Sequence, residues 1–488
     1  NASCAGAMER LKEILNERGF ITLNVLLFDD YELLDVYGPM ELLAGSNVLP
    51  IGESKGKMKI SFISVSESKS AKPKDGILTM TDATMWNDAA VADVLFVPGG
   101  LGTRTLQHDA TFLTRLTQLA EAATVVLTVC TGSLLLAATQ LLNGVKATTN
   151  KVAFEEVSQQ HRGVQWQRSA RWCVDGKFLT SSGVAAGIDL AHFFIKQLFG
   201  PKVAKMAVTF AEYEHSDDPT NDPFAAPRQN PVLKGPDKTL RLVFVAYDQF
   251  EMLDSFGPLE MFAVANRLME RQGQRACFQL QSVAEDEFTQ SFGGPVFRMD
   301  QVLSSANFDA IDLLLLPGGI GTLREVHNPL FREAIRKLVE SSERVMTVCT
   351  GSAILASCGL LDGKRATTNK LSFDLMELFG PKVTWIPSAR WVIDGKFWTS
   401  SGVSAGTDLS LVVLREIFGS ELADATAKHA EYRWVPTDDG GADPFTHTIP
   451  KQTWGHVIFT RIQKAMASFV FCFGFALGFK MQITKQLI

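Results

Sequence analysis

The chain has 488 residues, 46% of them apolar and 20% charged, enough core for two or three globular domains. A net charge of −6 with no concentrated basic face gives no electrostatic case for nucleic acid as a partner. The seven cysteines show no C-x-x-C or Cys/His spacing, which argues against a metal site, and their odd, scattered distribution points to reduced thiols in a cytoplasmic compartment.

Asn1 rather than methionine opens the chain, so targeting is not readable from that end. Residues 8–18 are charged on one side and apolar on the other, the pattern of a short surface helix. Strand-like and helix-like segments then alternate. Residues 21–28, 59–65 and 91–97 read as strands, and 39–44 and 112–123 as helices. A strand over 123–129 leads through Cys130 into a helix of about three turns that glycine stops at Gly144. A further strand over 178–181 and a helix over 187–199 follow. Near-continuous apolar runs such as 92–97 and 312–316 fit strands covered on both faces, so the sheet is expected to be largely parallel and doubly wound, with ligands beyond the carboxyl ends of its strands.

The whole pattern occurs twice, with an offset of 219 residues: Asp35 maps to Asp254, Pro98-Gly99-Gly100 to Pro317-Gly318-Gly319, and Cys130 to Cys349. Between 128–150 and 347–369, 15 of 23 positions are identical, which makes the chain a tandem pair of one domain. The expected boundaries are 20–213 for the first domain, 214–238 for a proline-rich linker and 239–446 for the second. An apolar tail of unassigned role occupies 447–488. Its uncharged run 465–479 would span roughly 22 Å as a helix, short of the ~30 Å hydrocarbon core, so membrane contact through it is not the favoured reading.

Of the seven cysteines only Cys130 and Cys349 obey the offset. A cysteine between strand and helix sits by free N–H groups and the positive end of a helix dipole, both of which favour thiolate, and thiolate is the nucleophile. The rival reading is a small buried hydrophobe. Asp35 and Asp254 precede Gly-Pro, which suits the first turn of a helix; each is either a cap or an acid able to exchange a proton with the thiol. Gly99-Gly100 and Gly318-Gly319 are either tight turns or nests of N–H groups that, with the backbone of Thr131 or Thr350, stabilise an anionic intermediate. The Thr131 and Thr350 hydroxyls either meet substrate or cap the helix. Arg171, Arg390, Glu212 and Glu431 are also paired, with solvated or structural ion pairs as their expected role. Asp189 and Asp408 suit a first helical turn. No histidine keeps the offset, and no Gly-x-Gly-x-x-Gly or Walker-type loop is present, so neither a repeated Cys-His pair nor a nucleotide cofactor is indicated.

Leu34-Asp-Val-Tyr-Gly-Pro39, Val97-Pro-Gly-Gly100, Val129-Cys-Thr-Gly-Ser133, Ala147-Thr-Thr149 and Thr180-Ser-Ser-Gly-Val184 resemble the DJ-1/PfpI superfamily, also called class I glutamine amidotransferase-like, and within it the isonitrile hydratase branch. The resemblance implies two flavodoxin-like three-layer sandwiches, each with its cysteine at a strained nucleophile elbow. It implies Cys130 and Cys349 as nucleophiles, Asp35 and Asp254 as acid/base, and Thr131 and Thr350 as helpers. It implies a cofactor-free hydro-lyase acting on a small electrophile, converting an isonitrile to an N-substituted formamide. Family alternatives are a glyoxalase- or deglycase-like carbonyl enzyme and a redox-sensing or binding protein with an oxidisable cysteine. Because members commonly pair, the two copies are expected to form an intramolecular pseudo-dimer. Two departures stand out: peptidase-like members carry histidine directly after the cysteine, where Thr131 and Thr350 stand, and hydratase-like sequences often carry histidine after Ala-Thr-Thr, where Asn150 and Asn369 stand.

Overall fold

Val94–Val97 is buried at every position, as a strand with helices on both faces must be, and the first domain is built outward from it. The sheet order is Met58–Ser64, Ile21–Leu27, Val94–Val97, Val125–Thr128, Phe178–Ser181, Trp172–Asp175. All neighbours are parallel except the last pair. The chain therefore winds outward in both directions from between Ile21–Leu27 and Val94–Val97, and the crevice of such a sheet opens at that switch point. The second domain repeats this order with Phe278–Ala284, Leu240–Val245, Ile311–Leu316, Ser342–Thr347, Phe397–Ser400 and Trp391–Asp394, and adds an edge strand, Gln301–Val302. These are two α/β domains with mostly parallel sheets, as the alternation of apolar segments predicts. The computed structural model describes residues 2–48, 58–82, 86, 89–226, 231–434 and 440–446. The expected tail 447–488, with its apolar run 465–479, lies outside the described residues, among which no helix is long and apolar enough to cross a membrane.

Several helices keep their expected bounds. Ala110–Ala122 is capped by Asp109, whose carboxylate accepts from the Thr111 and Phe112 N–H groups, and Ala186–Phe199 stops at Gly200, φ 89°. The helix behind the cysteine is shorter than expected, Gly132–Ala138, and the turn to Gly144 passes through Gln140 at φ 67°. The helix carrying Asp35 starts at Leu33, not Pro39, and runs to Val48 with the proline inside it. Its start is stabilised from 226 residues away: Leu34 N–H donates to Glu260 Oε2 at 3.2 Å. The repeat returns the favour, with Leu253 N–H on Glu41 Oε2 at 3.1 Å at the start of Met252–Arg271.

These two helices pack against each other, and all described residues belong to one compact unit. Glu41 and Glu260 are 219 apart, as are Tyr37 and Phe256, whose rings stack with centroids 4.2 Å apart. A residue stacked on its own repeat lies at a pseudo-two-fold axis. Beside it, Leu78–Met80 of the first domain pairs antiparallel with Val296–Arg298 of the second, so one four-stranded sheet is shared by both. The expected linker is in part folded: Ser216 N–H donates to Asp189 Oδ1 at 2.8 Å, and Asp222 is buried beside Lys151 and Arg171. Its first residues are the tail of the first domain.

Candidate functional site

Each switch-point crevice collects residues from four strand ends. After Val125–Thr128 the chain turns sharply at Cys130, whose φ of 57° is left-handed and strained for a side chain with a Cβ; Cys349 has the same φ. The surrounding motifs hold that strain. Cys130 N–H donates to Ser182 O at 2.9 Å, while its carbonyl accepts from Ser133 Oγ at 3.0 Å and Thr149 Oγ1 at 3.1 Å. At Cys349 the same three bonds come from Ser401, Ser352 and Thr368. The Cys-Thr-Gly-Ser, Ala-Thr-Thr and Ser-Ser-Gly motifs recur because together they clamp one strained residue.

Asp35 lies in the first turn of Leu33–Val48, fully buried, and does not cap it. Its Oδ2 accepts from Gly99 N–H at 2.8 Å, and Asp254 Oδ2 accepts from Gly318 N–H at 2.9 Å. The Cys130 thiol lies against the Asp35 carboxyl, and Cys349 against Asp254. The other oxygens, Asp35 Oδ1 and Asp254 Oδ1, are buried with no hydrogen-bond partner among the described residues. Burial first, then the nearby Glu32 charge, pushes the Asp35 carboxyl well above the usual carboxylate range; burial and Glu251 do the same to Asp254.

Burial works against the thiolate that the turn's place at a helix start favours. Burial, then Asp35, Glu32 and Glu431, pushes the Cys130 thiol well up, with the Thr131 N–H pulling weakly the other way. Burial, Asp254, Glu212 and Glu251 act likewise on Cys349. A helix of seven residues with one N–H at the sulfur does not outweigh a buried setting surrounded by carboxyl groups. Both shifts run toward the protonated forms of the cysteine and the aspartate.

The expected anion nest is also corrected, because its N–H groups are already taken. Gly99 and Gly318 donate to the aspartates, and Gly100 and Gly319 donate to Thr131 Oγ1 at 3.1 Å and Thr350 Oγ1 at 3.0 Å. The glycines serve close approach: a Cβ on Gly99 would sit 2.6 Å from Thr131 N and 2.8 Å from Asp35 Oδ2. The threonine hydroxyls are likewise engaged, Thr131 with Thr103 and Thr350 with Thr322, so they brace the glycine loop and do not cap the helix. Arg171 forms a buried ion pair with Asp189 at 2.9 Å, and Arg390 a partly buried one with Asp408 at 2.7 Å. Glu212 and Glu431, expected to be solvated or ion-paired, are fully buried and cross the domain boundary. Nothing in the one-dimensional pattern distinguishes them from the arginines.

Sequence comparison places this geometry. Residues 22–197 and 241–416 each match the DJ-1/PfpI family. The chain belongs to the DJ-1/PfpI family. Isonitrile hydratase of Pseudomonas putida is 30% identical over 206 residues, 42% of this chain and 83% of that protein. A deglycase of Pyrococcus abyssi is 30% identical over 164 residues, 34% of this chain and 90% of its own length. Among solved structures, a ThiJ/PfpI family protein from Pseudomonas syringae is 23% identical, covering 48% of this chain and 88% of that one, with a TM-score of 0.37. In this DJ-1/PfpI protein Cys130 and Cys349, like Cys173, Cys277 and Cys358, are free thiols.

Proposed function

We propose that this protein is a cofactor-free hydratase that converts a small isonitrile to the N-substituted formamide at Cys130 and Cys349. The observation that carries the reading is the unpartnered oxygen of a fully buried aspartate beside a thiol, present twice, in a setting where burial pushes the carboxyl toward its acid form. Other buried oxygens also lack partners, such as Asp222 Oδ2 and Asp443 Oδ2, but these two belong to carboxyl groups that lie against a cysteine thiol, where a partnerless oxygen is free for a reacting atom. The terminal carbon of an isonitrile accepts both a proton and a nucleophile, so a thiol and a neutral acid are the pair it needs.

In this scheme the Asp35 carboxyl gives its proton to the terminal carbon as Cys130 Sγ bonds to the same atom. The thiol proton passes to the carboxylate, so S–H has added across carbon and a thioimidate, R–N=CH–S–Cys130, results. Water then adds to the C=N carbon, with one of its protons passing through Asp35 to nitrogen. The C–S bond breaks, the sulfur recovers a proton, and R–NH–CHO leaves. Isonitrile and water are consumed, formamide is formed, and no oxidant or metal enters the balance. Asp254 and Cys349 play the same parts in the second domain.

The likeness to Pseudomonas putida isonitrile hydratase over most of that protein supports the substrate class. The test is incubation of purified protein with cyclohexyl isocyanide. Cyclohexylformamide should accumulate, and the double variant Cys130→Ala/Cys349→Ala should make none. Consumption of methylglyoxal with no turnover of any isonitrile would replace this reading with the deglycase-like one. The reading also takes the two domains as a built-in pair, so light scattering should return one chain per particle.

A further inference from the structure

We propose that each elbow is completed by the opposite domain: Glu431 is the positioning residue for Cys130, and Glu212 is the positioning residue for Cys349. Helix Ser420–His429 packs on the second domain's own helices Ser404–Phe418 and Met252–Arg271, so Glu431 is anchored there. Directly after this helix the backbone turns at Glu431 with φ 49°, and at Glu212 with φ 43° after Pro201–Phe210. A left-handed residue at a helix end redirects the chain, and here it sends the side chain across the boundary.

What the carboxylate touches decides its role. Glu431 Oε1 accepts from Lys151 N–H at 2.6 Å, and Oε2 accepts from Gly183 N–H at 2.8 Å and from the Ser182 hydroxyl. Glu212 Oε1 accepts from Lys370 N–H at 2.8 Å and Asn369 Nδ2 at 2.9 Å; Oε2 accepts from Gly402 N–H at 2.7 Å and Ser401 Oγ at 2.6 Å. These are the two loops that hold the strained cysteine. Ser182 supplies the carbonyl that accepts from Cys130 N–H, and Thr149, two residues before Lys151, supplies the hydroxyl on the Cys130 carbonyl. One carboxylate thus ties together the loop on the elbow's N–H and the loop on its C=O. The approach is close enough to require glycine: a Cβ on Gly183 would lie 2.8 Å from Glu431 Cδ, and one on Gly402 2.5 Å from Glu212 Cδ.

In their ionised form the same carboxyl groups put negative charge within reach of the opposite sulfur, and that charge opposes thiolate formation. Around Cys130 the charged and titratable groups facing this cluster are Asp35, Glu32, Lys151, Asp222 and Arg171, whose Nη1 donates to Glu431 O at 3.2 Å. Around Cys349 they are Asp254, Glu251, Tyr247, Lys370, Asp443 and Arg390. Neither elbow is therefore built by one domain alone. This inference holds whatever electrophile the elbow takes.

The test is a crossover in the full-length protein. Alkylation by iodoacetamide is followed cysteine by cysteine, by peptide mass, across a pH series for Glu431→Gln and Glu212→Gln. Glu431→Gln should lower the alkylation midpoint of Cys130 by about one pH unit, tenfold in thiolate below the midpoint, and leave Cys349 unchanged. Glu212→Gln should do the reverse. Where a glutamine variant does not fold, Glu→Asp keeps the charge but shortens the reach, and it should alter the alkylation rate of the opposite cysteine at least threefold with its own domain's cysteine unaffected. A shift at the cysteine of the same domain, an equal shift at both, or no shift at either overturns the proposal. Because the readout involves no isonitrile, it is independent of whether the hydratase reading stands.

Discussion

Asp35→Asn, made in a Cys349→Ala background so that only the first elbow reports, separates two accounts of how the cysteine is activated. Asparagine has nearly the volume of aspartate, and its amide oxygen can accept the Gly99 N–H that Asp35 Oδ2 accepts at 2.8 Å, so the buried helix turn keeps its packing. Two things change. The transferable proton on the carboxyl is lost, and so is a group whose ionised form opposes thiolate at Cys130. Losing general acid–base catalysis costs about 10²–10⁴ in rate, and at 1.36 kcal/mol per tenfold that is about 3–5 kcal/mol of barrier. The thiol pKa moves down at the same time. The account therefore predicts a variant whose cysteine alkylates faster at neutral pH while its isonitrile turnover falls at least a hundredfold. The assay is formamide production by chromatography beside iodoacetamide kinetics on the same sample. Turnover that is unchanged or rises with the thiolate fraction would refute the role of the acid.

Glu41 is buried at the domain boundary, and burial together with Glu251 holds its carboxyl well above the usual range. A raised folded-state value means that its stability contribution is complete below the unfolded pKa and is lost as pH rises through the folded one. Glu41→Gln, which keeps an acceptor for Leu253 N–H, should flatten the fall in Tm with rising pH measured by calorimetry; an unchanged slope would contradict this. Tyr37→Ala removes a fully buried ring stacked on Phe256 at 4.2 Å and should cost about 3–5 kcal/mol in denaturant unfolding, while a loss under 1 kcal/mol would contradict its place at the core of the interface. Gly99→Ala, again with Cys349→Ala, forces a methyl to 2.6 Å from Thr131 N; it should abolish most turnover with circular dichroism unchanged, since the shift falls on the acid and the loop behind it.

The duplication, the parallel sheets and the elbow position of Cys130 and Cys349 were legible because each follows from local pattern. An all-apolar strand, a polar turn and a helix stopped by glycine read the same way in any context. The start of the Asp35 helix was not legible, because its N-terminal N–H group is satisfied by Glu260, a residue far along the chain. The upward push on the thiol is not legible in the sequence for a related reason. Helix dipoles are visible in a sequence, whereas burial and the approach of Glu32 and Asp35 from the start of one helix and Glu431 from the other domain appear only on folding. Gly99 and Gly100 were expected to offer free N–H groups, and the structure spends them on Asp35 and Thr131. Glu212 and Glu431 repeat like ion-pair residues, but their partners lie 157 to 280 positions away in the other copy.

The proposed chemistry passes through a covalent bond between isonitrile carbon and sulfur. Rapid acid quench of the protein during turnover of cyclohexyl isocyanide, followed by peptide mass analysis, should find the intact isonitrile added to Cys130 and Cys349 and to no other cysteine. Formamide production with no adduct on either residue, or an adduct confined to Cys173, Cys277 or Cys358, would contradict it.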